Sequence, residues 1–131
     1  GNDEYALLLP QDPDASAAQI RGALEAASGC RLGIIITDSS NRPWRMGTIG
    51  SAIGCAGIRV LEDHRGGSDL FGRELKVTLI NRADAIASAA TLIMGETTEM
   101  TPVVIVRGLP TDDADEPASS CIRPLEEDMF R

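Results

Sequence analysis

Apolar positions along the chain fall in short blocks separated by polar, Gly- and Pro-rich punctuation. Residues 5–9 are apolar and stop at Pro10, which predicts a short strand. Pro10, Asp12, Pro13 and Asp14 supply turn chemistry after it. Ser16 and Gln19 have capping-box spacing. Ala17, Ile20, Leu24 and Ala27 recur on one helical face. These signals predict a helix that opens at Ser16 and closes on Gly29. Residues 32–37 (LGIIIT) are continuously apolar and rich in β-branched side chains, which predicts a buried central strand. It ends in the polar cluster 38–45. Residues 47–57 (GTIGSAIGCAG) keep apolar positions among small ones, a pattern that permits close backbone packing or ligand approach. Residues 58–63 continue extended or turn, and 64–69 read as loop. Leu75, Val77 and Leu79 alternate with Lys76, Thr78 and Ile80, as in a strand. Ile86, Ala89, Ala90 and Ile93 stripe a second helix over 83–94, with Gly95 after it. Residues 102–106 (PVVIV) predict another buried strand. Residues 111–120 are acidic and rich in Pro, Ser and Ala, the composition of a mobile linker. Ile122, Leu125, Met129 and Phe130 then restore an apolar segment that should dock on this chain or on a partner.

This pattern fits one α+β domain with two main helices and a mixed or antiparallel sheet of four to five short strands. The length, 131 residues, agrees with a single domain. The net charge of −8 argues against a nucleic-acid partner, which requires a basic face. No apolar run reaches the ~18 residues of a membrane span. Cys30, Cys55 and Cys121 are too few and too scattered for a disulfide framework, so a reducing cytoplasm is expected and the three read as small buried apolar residues.

Asp38 and Ser39 place a carboxylate and a hydroxyl side by side at a strand end. That pair suits Mg²⁺ or Mn²⁺ beside phosphate oxygens, or else an Asx-turn. Arg42, Arg45, Arg59, Arg65 and Arg73 gather positive charge in an acidic chain. They serve either as anion contacts, with Arg42 and Arg45 the leading candidates, or as partners of Asp63, Asp69 and Glu74. His64 is the only His, which excludes a His-rich metal centre. No GxxxxGK[ST] loop, dinucleotide fingerprint or CxxC pair occurs. The residues themselves leave the catalytic group unassigned.

The stretches LLLPQDPDASAAQIR, GIIITDSSNRPWRMGTIGSAIGCAGI, DLFGREL, ADAIASAATLIMGE, PVVIVRG and IRPLEEDMFR occur in this order. Together they resemble the coenzyme F-420:L-glutamate ligase family. The resemblance covers nearly all of residues 5–131, and the TDS-xxRPWR-xG block followed by AIGCAG is its most specific part. It implies a GTP-dependent ligase that adds L-glutamate to a carboxylate of the deazaflavin coenzyme precursor through an acyl phosphate. It also implies two divalent cations (Mg²⁺ or Mn²⁺), a monovalent cation such as K⁺, an unusual α+β fold and a homodimer. By that resemblance Asp38 binds one metal, and Ser39 and Glu96 bind the second. The family often has Gln at the Glu96 position. The loop Met94, Gly95, Glu96, Thr97, Thr98, Glu99, Met100 and Thr101 contacts the nucleotide.

Family members also carry an N-terminal half ending in an Asp-x-Ser-Asn motif that supplies a further metal carboxylate. That motif does not occur here, and the chain begins GNDE with no Met. The expectation is the C-terminal portion of a ligase, with residues 1–109 in the ligase domain and 110–131 an acidic linker and docking tail. The alternative is a non-catalytic module that serves folding and dimerisation with an incomplete metal and GTP site.

Overall fold

Asp12 opens the first helix, α1 (Pro13–Ser28), in a computed structural model that describes residues 6–110 and 112–128. The Asp12 carboxylate accepts the Ala15 N–H at 2.9 Å, and Pro13 occupies the first turn, where its missing N–H has no helical partner to lose. The N-cap therefore lies four residues before the predicted Ser16. The Ser16 hydroxyl donates instead to the Asp12 carbonyl. Gly29, left-handed at φ 68°, ends α1 as expected.

β1 (Ile34–Ser40) and β2 (Ile49–Ala56) form an antiparallel hairpin in which Asp38 faces Ser51 and Ser39 faces Gly50. A register shift between Ile36 and Thr37 marks a bulge. β3 (Leu61–Asp63) and β4 (Leu79–Asn81) make a second two-stranded antiparallel sheet. α2 (Arg82–Met94) follows β4 at once, with the Asn81 side chain accepting the Asp84 N–H at 3.0 Å. Two 3-10 turns, Ala118–Cys121 and Leu125–Glu127, complete the elements. The fold is α+β, with four short strands split between two sheets among the described residues.

β2 is the hub, and its small residues explain why. A Cβ on Gly54 would lie 2.3 Å from the Pro13 carbonyl oxygen, and one on Gly50 would lie 2.6 Å from that of Ala87. Both helices thus lie directly on the β2 backbone. Side chains rather than a third strand satisfy further polar groups of β2. Asp84 accepts the Ala52 N–H, Asp14 accepts the Cys55 N–H, and the Ser88 hydroxyl donates to the Gly50 carbonyl, each at 2.8 Å. The core beside it is small: Cys55, Val60, Ala83 and Ala118.

This arrangement corrects several sequence expectations. Residues 32–37 do not form a central strand. Among the described residues β1 pairs on one side only, and Ile34, Ile35 and Ile36 are half-buried. Residues 102–106 form no strand, with Val103 77% and Ile105 73% exposed. Residues 6–9 of the predicted N-terminal strand are likewise irregular and exposed, and Tyr5 lies outside the described residues. Of residues 75–80 only the end is regular strand. The chain before it folds back through Gly66 N–H to Leu75 O and Leu75 N–H to Gly67 O. The helices also rotate relative to their apolar stripes. Ala17, Ala83 and Ala87 are buried while Ile20, Leu24, Ala89 and Ile93 are exposed, because close packing on glycine selects the smallest side chains.

The acidic segment makes specific contacts from residue 112 onward. Asp112 and Glu116 pair with Arg59, and Asp113 pairs with Arg31. Glu116 accepts the N–H groups of Val60 and Leu61, Asp115 accepts that of Gly57, and Asp14 accepts that of Ala118. Thr111, Met129 and Phe130, which belong to the predicted linker and tail, lie outside the described residues. Among the described residues no helix is long and apolar enough to cross a membrane.

These ion pairs set an acid limit. The Arg65 guanidinium holds the Asp63 carboxyl at about 2 against an ordinary 3.8. The Arg59 guanidinium lowers Asp112, and the Leu32 N–H lowers Glu25. A carboxyl depressed in the folded state stabilises fully above its unfolded value, and that contribution disappears as pH falls through the folded one. The melting temperature should therefore hold above pH about 5 and fall from about pH 4 towards 2, less steeply in Arg65→Gln. A pH series of melting curves on the intact protein checks this. An equal fall in both proteins would refute it.

Candidate metal and nucleotide site

The end of β1 and the end of α2 meet. Ser88 and Gly50 bring α2 onto β2, so the last turn of α2 arrives beside the polar end of β1. Gly95, at φ 72°, turns the chain out of the helix and presents Glu96 to Ser39. The Ser39 hydroxyl donates to Glu96 Oε2 at 2.5 Å, and the Ser39 N–H donates to Asp38 Oδ1 at 2.8 Å. Thr37, Asp38, Ser39, Thr91, Met94, Gly95 and Glu96 line a cleft of about 150 Å³. Asp38, Ser39 and Glu96, singled out from the sequence, therefore come together. Thr37 and Thr91 join them, and neither is among the predicted site residues. The only available signal was position: Thr37 precedes Asp38, and Thr91 sits on the last turn of α2.

The cleft is negative. Two carboxylates face it, and the carbonyl end of α2 adds partial negative charge. Its polar side chains are all oxygen donors, which fits a hard divalent cation and not a soft one. Among the described residues no group of three or more His, Cys, Asp and Glu side chains is placed to hold a metal. The donors here are two carboxylates and hydroxyls.

The remaining predicted residues divide. Met94, Gly95 and Glu96 line the cleft. Met94, Gly95, Met100 and Thr101, with Pro102, line an adjacent, more apolar hollow of about 440 Å³. Thr97, Thr98 and Glu99 line neither. The Thr97 N–H donates to Glu99 at 2.9 Å and lowers its carboxyl below the usual range. Arg42 and Arg45 lie on the exposed connection between β1 and β2, outside the cleft lining, and have no ion pair among the described residues. Arg59 and Arg65 are paired with carboxylates, and the Arg73 N–H donates to Asp69. His64 faces Glu62 at 3.7 Å. Burial pushes the Cys55 thiol up to about 12, as an inert core residue requires. Cys30, expected to be buried, is exposed.

The sequence profile of the F420-0:Gamma-glutamyl ligase family matches residues 1–108. The chain belongs to that family. It is 49% identical over 124 residues to the coenzyme F420:L-glutamate ligase of Methanocaldococcus jannaschii, covering 95% of this chain and 50% of that protein. It is 46% identical over 131 residues to the coenzyme F420:L-glutamate ligase of Methanopyrus kandleri, covering 97% of this chain and 52% of that protein. The chain thus spans about half the length of the curated relatives it matches.

Proposed function

We propose that the intact protein joins the amino group of L-glutamate to a carboxylate of the deazaflavin coenzyme F-420 precursor, driven by GTP. The observation that carries this reading is the convergence of Asp38, Ser39 and Glu96 on one cleft in a chain of this family. A triphosphate cannot approach two carboxylates and a helix carboxyl end without compensation. Asp38, Ser39 and Glu96 would hold divalent cations, Mg²⁺ or Mn²⁺, which neutralise the cleft and stabilise charge on the transferred phosphoryl group. A monovalent cation such as K⁺ belongs to the same proposal. Met94, Gly95 and Glu96 wall the phosphate side, and the hollow under Met100 and Pro102 offers an apolar seat for the base.

In this scheme a carboxylate oxygen of the precursor attacks the γ-phosphorus. The bond to the bridging oxygen breaks and GDP leaves. The glutamate nitrogen attacks the acyl carbon, its proton departs, the carbon–oxygen bond breaks and phosphate leaves. The reading includes a cytoplasmic homodimer that covers exposed apolar side chains such as Leu92 and Ile105. Purified intact protein given precursor, L-glutamate, GTP and Mn²⁺ should form one GDP and one phosphate per glutamate added. Glutamate addition without nucleotide would overturn the reading.

A further inference from the structure

The connection between β1 and β2, residues 41–48, begins two residues beyond Ser39 and ends two residues before Gly50, the register partner of Ser39. It is therefore anchored at the cleft. Its side chains are unusual for this protein. Trp44, the only Trp in the chain, is 92% exposed and holds a left-handed backbone at φ 65°. Bulky residues rarely adopt that conformation, and such outliers gather at functional sites. Arg42 and Arg45 flank it without ion pairs among the described residues, whereas Arg21, Arg31, Arg59, Arg65 and Arg82 are all paired. Arg73, Arg107 and Arg123 likewise have no ion pair among the described residues, but Arg42 and Arg45 flank an exposed ring on a connection anchored at the cleft.

The other segment leaving the cleft, residues 94–101, carries Glu96 and Glu99 and no cation. Without bound cations it repels acid groups. A substrate that combines a planar ring with acid groups, and must bring a carboxylate to the cleft, needs a stacking surface and nearby positive charge. Residues 41–48 supply both. We infer that Trp44, Arg42 and Arg45 form the docking site of the acid-bearing deazaflavin substrate, with the indole against its ring and the guanidiniums on its anionic groups. This rests on the ligase reading above.

Kinetics of the intact protein test it. Trp44→Ala should raise KM for the precursor roughly 10- to 100-fold, the usual scale of lost ring stacking, and leave KM for GTP and L-glutamate unchanged. Trp44→Phe should restore most of the loss. Arg42→Gln combined with Arg45→Gln should raise the same KM and weaken its dependence on salt. A parallel rise in KM for GTP, or no change in any KM, would overturn the assignment. A nucleotide-free titration separates this from failure of the ligase reading. Quenching of Trp44 fluorescence by the precursor, measured against the Trp44→Phe protein as blank, supports the docking site even if no turnover occurs. The same quenching in both proteins, or none in either, refutes it.

Discussion

Asp38→Asn is expected to reduce GTP-dependent glutamate ligation by at least about 100-fold while leaving the fold intact, since a metal acting on developing charge is worth several kcal/mol. Asn keeps the shape and the oxygen that accepts the Ser39 N–H, so local geometry survives. What is lost is one of the two charges in the cleft. With Glu96 alone, a divalent cation is held weakly, and the triphosphate meets the carbonyl end of α2 uncompensated. The expected signature is a rate that recovers partly as Mn²⁺ is raised. Ser39→Ala should cost less, because a neutral hydroxyl contributes less to a hard cation than a carboxylate does. Initial rates across a Mn²⁺ series, with circular dichroism of each variant, measure this. Near-normal turnover by Asp38→Asn would remove Asp38 from the metal role.

The legible parts of the sequence were those with short-range chemical signals. Gly29 and Gly95 mark the ends of both helices because a left-handed φ at a helix terminus favours glycine. The run of small residues at 47–57 foretells close packing, and β2 sits under both helices. The illegible parts depended on partners. Residues 102–106 have the composition of a buried strand, but composition does not say which edge would pair with them, and that of β2 is taken. Asp14 and Asp84 already satisfy the N–H groups of β2 at Cys55 and Ala52. The β2 glycines explain why the helix stripes misled. Packing through glycine turns the alanines inward and leaves Ile20, Leu24 and Ile93 outside. At the cleft, Asp38 and Ser39 could be picked out as a polar pair ending an apolar strand. Glu96 could be reached only through family resemblance, because 57 residues separate it from Ser39. Thr91 resembles any polar helix residue until α2 is seen against β2.

Gly50→Ala and Gly54→Ala should both destabilise the intact protein, by about 1–3 kcal/mol each, yet only the first should also damage the site. A Cβ on Gly54 would meet Pro13 backbone atoms at 2.3 and 2.5 Å, so the first turn of α1 must move. That turn holds Asp14 on Cys55 and Ala118, far in sequence from the cleft lining. Activity below the melting transition should therefore persist. A Cβ on Gly50 would meet Thr91 Oγ1 at 2.2 Å and the Ala87 carbonyl oxygen at 2.6 Å. Thr91 could rotate, but the Ala87 backbone cannot, so α2 must shift. Its last turn carries Met94 into the cleft and sets the position of Glu96 opposite Ser39. Ligation should then fall along with stability, and more Mn²⁺ should be needed for half-maximal rate. Gly22→Ala is the control. Its Cβ meets nothing within 4 Å on the middle of α1, so removing a helical glycine should stabilise by about 0.5–1 kcal/mol. Denaturant melts and initial rates on the three variants decide the matter. If Gly50→Ala kept full activity, the packing of α2 on β2 would not be what positions Glu96.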